Sequence, residues 1–353
     1  MQVLGGRKIS KLFKETVKDG LLSAIRVLAT PVTFLVNHWL SRRNLFVLYR
    51  LSGSSLGDSI AMSSALRCIS DELHCKVILF VKQNDEIFLH NPAVTRLYCY
   101  ARMNPRTRSF IKSLLYILNG GRIAIYGTTL PDPGSYLLTH RPHSVVLNTL
   151  HIPGLQWRNL KPLIVVTEEE RVMVRARYGL PKTYAVIKPT GNTTGTTKKE
   201  WGVEYFQKVV NAMPHIIWVQ PGLPEDPLLE GVIDARGSTT LRELFCLVAE
   251  SRFVLTIEGL YNHIGAAFDV PSFIVLSGYF YPESFTYGST VIISQESQVD
   301  CAPCFLDGHK NCSIAGKPCM SGLTVERVVT TIEAHLSPQR HSNLLPQGLN
   351  MSA

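Results

Sequence analysis

No stretch of this chain is apolar for the length that a membrane-spanning helix needs. The best run, residues 21–40, is broken by Arg26, by Pro31 and by Asn37 with His38, so a transmembrane span is not expected. The start also lacks the short apolar core and small-residue cleavage site of a signal peptide. There is no low-complexity tract and no evident internal repeat, which argues against a repeat array. Two nucleotide signatures are missing as well: the glycine spacing of the dinucleotide fingerprint, and the Gly-Lys-Ser/Thr of a P-loop. Acid is scarce at the N-terminus. Residues 1–44 hold eight lysines and arginines against Glu15 and Asp19, which accounts for six of the net +9. The rest of the chain is therefore close to neutral, unlike a dedicated nucleic-acid binder, whose basic surface belongs to its fold.

What is present is an ordinary globular composition, 45% hydrophobic and 18% charged, in 353 residues. That length accommodates two domains with separate cores. The basic N-terminal segment, 1–44, carries Leu12, Phe13, Val17, Leu21, Leu22, Ile25 and Leu28 at spacings near three and four. This is a basic amphipathic helix pattern that Pro31 ends or kinks. It suits attachment to an anionic membrane surface; the alternative is a helix packed on the protein's own body. Of eight cysteines, Cys68, Cys75, Cys99 and Cys246 lie in apolar, element-like contexts. They read as reduced buried thiols of a cytoplasmic protein.

From residue 45 short strands alternate with helices. Strands are expected at 46–50, 76–81, 96–100 and 122–126, with helices at 58–73 and 107–118. A proline-rich stretch follows, then a helix at 168–178. A second alternation has strands at 184–188, 216–220, 232–235, 253–257, 272–276 and 291–294, and helices at 203–213, 240–250 and 261–268. This order indicates α/β architecture with two doubly wound parallel sheets. The expected organisation is a first domain over 45–167 and a second over 168–322, with a hinge near 165–182. A last helix over 323–337 is expected to cross back to the first half, and 338–353 reads as a flexible tail.

Three segments carry chemistry. The run Val254 to Ala267 is strand, tight turn, small-residue helix, with Glu258, Gly259, Leu260 and His263 at the strand's carboxyl end. Ligands bind at that end of open α/β sheets, and helix N–H groups favour a phosphate there. An ordinary βαβ turn is the plain alternative. Ser52 to Asp58 links the first strand to the first helix, with Gly57 in the turn. Asp58 is placed either to accept a proton from an attacking hydroxyl or simply to cap the helix. Pro189 to Trp201 offers Thr190, Gly191 and Thr194, then Lys198 and Lys199, as a diphosphate cradle or as a solvated loop. Trp201 argues for a packed exit. Finally, Cys301, Cys304, Cys312 and Cys319 have the spacing of a four-thiolate structural zinc or iron site, or of plain surface-loop thiols.

The ordered set of Arg50 with Gly57-Asp58, Lys199-Glu200-Trp201, Arg236 to Leu244, Glu258-Gly259 with His263, and the late cysteines resembles glycosyltransferase family 9 over residues 45–337. These are the heptosyltransferases that build the lipopolysaccharide inner core. The resemblance implies a GT-B fold, two Rossmann-like domains facing across a cleft, and inverting transfer from ADP-heptose to a lipid-linked or glycan acceptor. It places the catalytic base at Asp58, the acceptor side at Arg50 and Gly57, and donor binding at Thr190, Gly191, Thr194, Lys199, Glu258, Gly259, Leu260 and His263. Lys199 and the helix start neutralise the departing diphosphate without calling on a metal. A peripheral position on the cytoplasmic face of the inner membrane goes with this. Two other readings stay open: a GT-B transferase using another nucleotide sugar on a protein or capsular glycan, and a non-catalytic nucleotide-sugar-binding protein.

Overall fold

The structure, a computed structural model, describes residues 28–50, 55–126, 152, 155, 161–191, 196–295, 299–304, 309 and 311–337. The amphipathic pattern before Leu28, the turn at 51–54, most of the proline-rich stretch, Thr194 and the tail at 338–353 lie outside the described residues. The chain divides into two compact units, and among the described residues the passage from the first to the second falls between Val165 and Val166.

The first unit is built on a four-stranded parallel sheet of β1 (Leu45–Arg50), β2 (Lys76–Val81), β3 (Val94–Cys99) and β4 (Ile123–Tyr126) in the order β3-β2-β1-β4. Helix α1 (Thr30–Arg42) precedes β1, with Pro31 in its first turn, where a missing N–H costs nothing. The segment expected as one helix is two, α2 (Leu56–Met62) and α3 (Ser64–Leu73). The break lies at serines whose hydroxyls turn back on the backbone: Ser63 Oγ donates to the Ile60 carbonyl at 2.5 Å and Ser64 Oγ to that of Ala61 at 2.9 Å. Helix α4 (Pro105–Ile117) starts at an Asn104 cap that accepts from the Arg106 and Thr107 N–H groups. One face of the sheet, with Val47, Tyr49, Phe80 and Ile123, packs under Leu40 of α1 and Leu115 of α4.

The second unit has a six-stranded parallel sheet of β5 (Ala185–Lys188), β6 (Trp218–Gly222), β7 (Ile233–Arg236), β8 (Val254–Ile257), β9 (Ser272–Leu276) and β10 (Thr290–Ser294). The order is β10-β9-β8-β5-β6-β7. The chain lays down β5 to β7 outward, returns to pair β8 with β5, and then builds the other way. The β5/β8 border is thus the topological switch point. Helix α5 (Glu168–Arg177) precedes β5, and α6 (Val203–Ala212), α7 (Leu241–Ala249) and α8 (Leu260–Ala267) connect β5 to β6, β7 to β8 and β8 to β9. Thr167 and Thr240 start α5 and α7 with full capping boxes. Arg242 on Glu170 and Arg175 on Glu250 tie those two helices together.

One expectation is corrected here. The last helix, α9 (Val325–Leu336), does not leave the second unit. Its apolar stripe, Val328 and Ile332, is buried with Phe206, Val209 and Met320 in the second unit's core. An apolar face takes the nearest matching surface, and α6 supplies it.

At the centre of that core Phe273 packs edge-on against Phe253, ring centroids 5.5 Å apart, and neither is exposed. Phe273→Ala should destabilise the second unit by about 3–5 kcal/mol. Urea unfolding followed by circular dichroism would check this; an unchanged midpoint would contradict the packing.

Candidate functional site

Four loops leave the carboxyl ends of β5, β6, β8 and β9, and their polar side chains meet around the switch point. Glu258 follows β8 and is 3% exposed. Neither carboxylate oxygen has a hydrogen-bond partner among the described residues. Its charged neighbour is Lys199, with Nζ 3.6 Å from Oε1. Burial raises the Glu258 carboxyl from the usual 4.5 to about 7, while Lys199 and the nearby Ser277 N–H only partly offset it. Lys199 lies over the faces of Tyr279 and Phe280, with Nζ 5.1 and 4.6 Å from the ring centroids. This ammonium is held by aromatic faces and a carboxylate while keeping about a quarter of its surface open.

The lysine doublet divides its labour. Lys198 is buried and donates to the Cys304 carbonyl at 3.3 Å, so it braces the loop. Thr196 Oγ accepts from the Lys198 N–H. The loop exit is packed, as Trp201 suggested: its indole N–H donates to the Leu323 carbonyl and its ring stacks on Tyr205.

Gly259 caps α8 at φ 144°, a conformation that side chains rarely adopt. That turn sends the chain from β8 into a helix whose first N–H groups, from Leu260 onward, have no partner in their own helix. Gly265 lets α8 lie tight on the sheet, since a Cβ there would strike Ser272 Oγ. His263 is 2% exposed, with Nδ1 2.7 Å from the Tyr287 hydroxyl and its ring beside Phe285. Asn262 donates to the Phe285 carbonyl at 2.6 Å. The first turn of α8 is therefore pinned by the loop before β10.

Sequence reasoning missed a second group at the same edge. Lys188, the last residue of β5, is buried and donates to Asp226 Oδ2 at 2.8 Å and to Thr190 Oγ1 at 2.6 Å; Thr190 donates to Asp226 Oδ1 at 2.9 Å. Burial pushes the Lys188 ammonium below its ordinary value despite Asp226. Burial alone would raise the Asp226 carboxyl, but Lys188 and the Leu223 N–H hold it lower. Asp226 also adds to the burial that raises the Tyr261 hydroxyl. A lysine ending an apolar strand was the available signal; its partner, 38 residues on, had none. Gly191 lies beside this group, with Ile257 close to its backbone.

In the first unit, Asp58 stands in the first turn of α2, the element that follows β1 in the chain. Ser55, not Asp58, is the cap: its Oγ accepts from the Asp58 N–H at 3.3 Å. That removes the capping explanation for the carboxylate, which is partly exposed. Arg50 ends β1 buried, its guanidinium donating to Ser59 and its carbonyl accepting from the Tyr100 hydroxyl at 2.9 Å. Gly57 lies in the same turn of α2.

The late cysteines are all free thiols. Burial raises the Cys319 thiol, and Cys301 and Cys312 are close enough to add to the effect. Among the described residues no group of three or more His, Cys, Asp or Glu side chains is arranged to hold a metal ion. The segment of the late cysteines does brace the lysine loop, through the Cys304 carbonyl, Asn311 on Thr197, and Lys317 on the Thr197 carbonyl.

No protein-family model and no curated protein matches the chain. Solved structures do. A family 9 glycosyltransferase from Veillonella parvula aligns with a TM-score of 0.60 at 16% identity, covering 82% of this chain and 96% of that one. The E. coli ADP-heptose lipopolysaccharide heptosyltransferase II gives 0.56 at 14%, covering 82% and 98%. TibC, an iron-containing dodecameric glycosyltransferase from enterotoxigenic E. coli, gives 0.57 at 14%, covering 84% and 77%. The class is thereby defined: two parallel α/β sheets of the GT-B type. The fold is shared with these family 9 structures.

Because the folded chain holds the Glu258 proton more tightly than the unfolded chain, its stability should fall as pH rises from about 4.5 through about 7. Glu258→Gln should flatten that decline. Thermal melts across the range would read it, and parallel curves for both proteins would refute the burial argument.

Proposed function

We propose that this chain is an inverting glycosyltransferase that moves a heptose or related sugar from ADP-heptose to a lipopolysaccharide-core-type acceptor. The observation that carries the reading is the Lys199 ammonium paired at 3.6 Å with the buried Glu258, whose oxygens accept no hydrogen bond among the described residues, at the β5/β8 switch point. There a cation, a carboxylate and a helix start meet, which suits a nucleotide sugar. TibC, one of the similar structures, has been solved in complex with ADP-D-β-D-heptose.

In the proposed reaction Asp58 takes the proton of the acceptor hydroxyl as its oxygen attacks the anomeric carbon. The bond from that carbon to the diphosphate breaks, and ADP leaves with the electron pair. Lys199 and the first turn of α8, at Gly259 and Leu260, neutralise the charge on the leaving group. Thr190, Gly191 and Thr194 line the donor, and Glu258 accepts from a donor hydroxyl. His263 holds the α8 turn in place through Tyr287. Arg50 and Gly57, at the end of β1 and the start of α2, lie on the acceptor side with Asp58. The basic segment 1–44 keeps the enzyme against the cytoplasmic face of the inner membrane, within reach of a lipid-linked acceptor. A different nucleotide sugar, transferred to a protein or capsular glycan, would use the same groups.

Asp58→Asn should lower turnover by about 10²-fold or more while ADP affinity stays constant. Retained turnover would remove Asp58 from the mechanism. Conversely, Lys199→Ala and His263→Ala should weaken ADP binding, by about tenfold for the lysine. Calorimetry with ADP and the other nucleoside diphosphates tests this and the donor class together. Equal, weak binding of all of them, indifferent to Lys199→Ala, would favour a non-catalytic protein.

A further inference from the structure

The first unit carries apolar surface that its own core does not use. Helix α1 has two such stripes. Val36 and Leu40, with Asn37 between them, face the sheet, and Asn37 Oδ1 accepts from the Arg122 N–H at 2.6 Å. Val32, Leu35 and Trp39, at spacings of three and four, form the other, with Leu28 one turn ahead. They are 53, 64, 49 and 81% exposed, in that order. Helix α4 covers the same face of the sheet and repeats the pattern. Ile111 and Leu115 pack inward, while Phe110 and Leu114 are 67 and 40% exposed. A helix that is apolar on its buried side and again on its open side is made for more than one apolar environment.

The charges are of one sign. Neither helix contains an acid, and Arg42, Arg43, Arg106, Arg108 and Lys112 are all exposed. The acids of residues 28–126 (Asp58, Asp71, Glu72, Asp85 and Glu86) lie instead on α2, on α3 and after β2. Trp39 carries the Arg43 guanidinium 4.7 Å above its ring, so an interfacial aromatic and a cation sit together. Apolar side chains flanked only by cations complement anionic headgroups over acyl chains.

We propose that the open surface of α1 and α4 docks on an anionic membrane, forming a folded contact in addition to the basic residues before it. This rests on the membrane reading of segment 1–44 but is independent of the sugar chemistry. Trp39 is the reporter: Trp201 and Trp218 are buried, and Trp157, which lies outside the described residues, is changed to Phe in every form measured.

The full chain should sediment with phosphatidylcholine vesicles only when they contain phosphatidylglycerol. Brominated acyl chains should quench emission that Trp39→Phe removes. Val32→Ser with Leu35→Ser on α1, and Phe110→Ser with Leu114→Ser on α4, should each lower vesicle partition about tenfold. Should either pair unfold, Arg106→Glu with Lys112→Glu tests the same face. If the α1 and α4 variants bind as the parent does, and only Lys8, Lys11 and Lys14→Glu lose binding, the basic segment acts alone and the proposal fails. No binding by any form sinks both readings. Equal binding to neutral vesicles, or a dimer in the parent that the same variants make monomeric, would also overturn it, the latter marking a contact between copies.

Discussion

A carboxylate buried without a hydrogen bond is an expensive group, and Glu258 is the point around which the second unit's polar edge is arranged. It is tolerable because Lys199 lies 3.6 Å away and because burial raises its pKa, so that part of its population is neutral. Lys199 in turn needs its own support. Tyr279 and Phe280 hold it from the β9 loop, and Lys198 anchors the backbone behind it. Removing any of these leaves a charge buried without compensation, which costs more than the interaction itself contributes.

That dependence reaches into a region with no evident part in the chemistry. The segment after β10 carries the late cysteines, and its hydrogen bonds go to the lysine loop. Cys304, Asn311 and Lys317 all contact residues 197–198, and the Leu323 carbonyl takes the Trp201 indole. A loop of threonines and lysines would otherwise be solvated and mobile. Here it is clamped between its own tryptophan and a distant stretch of chain, which is how a flexible composition becomes a fixed cation.

Much of this was legible because local physics dominates in parallel α/β proteins. The strands at 76–81 and 272–276 and the helix at 325–336 fall where their periodicity places them, since continuous apolar runs and amphipathic stripes are set within a few residues. Glu258, Gly259 and Lys199 could be singled out because strand ends and glycine turns mark ligand edges. What could not be read depends on distant partners. The Lys188–Asp226 pair joins the end of β5 to the loop after β6 by an ion pair that no spacing rule encodes. The break at Ser63 comes from serine hydroxyls choosing backbone carbonyls over solvent. The amphipathic face of helix α9 does not name its partner in the sequence; in the fold it packs with Phe206 and Val209 of α6.

A carboxyl that burial raises from 4.5 to about 7 is partly protonated near neutral pH. Any ligand that brings positive charge to Glu258, seals it further from water, or takes Lys199 away from it must therefore exchange a fraction of a proton with the medium. The heat measured on binding would then contain a share that belongs to the buffer, differing between phosphate and Tris at the same pH. The size of that share counts the protons moved, and so reports on one buried side chain from the calorimeter's baseline chemistry rather than from any spectrum.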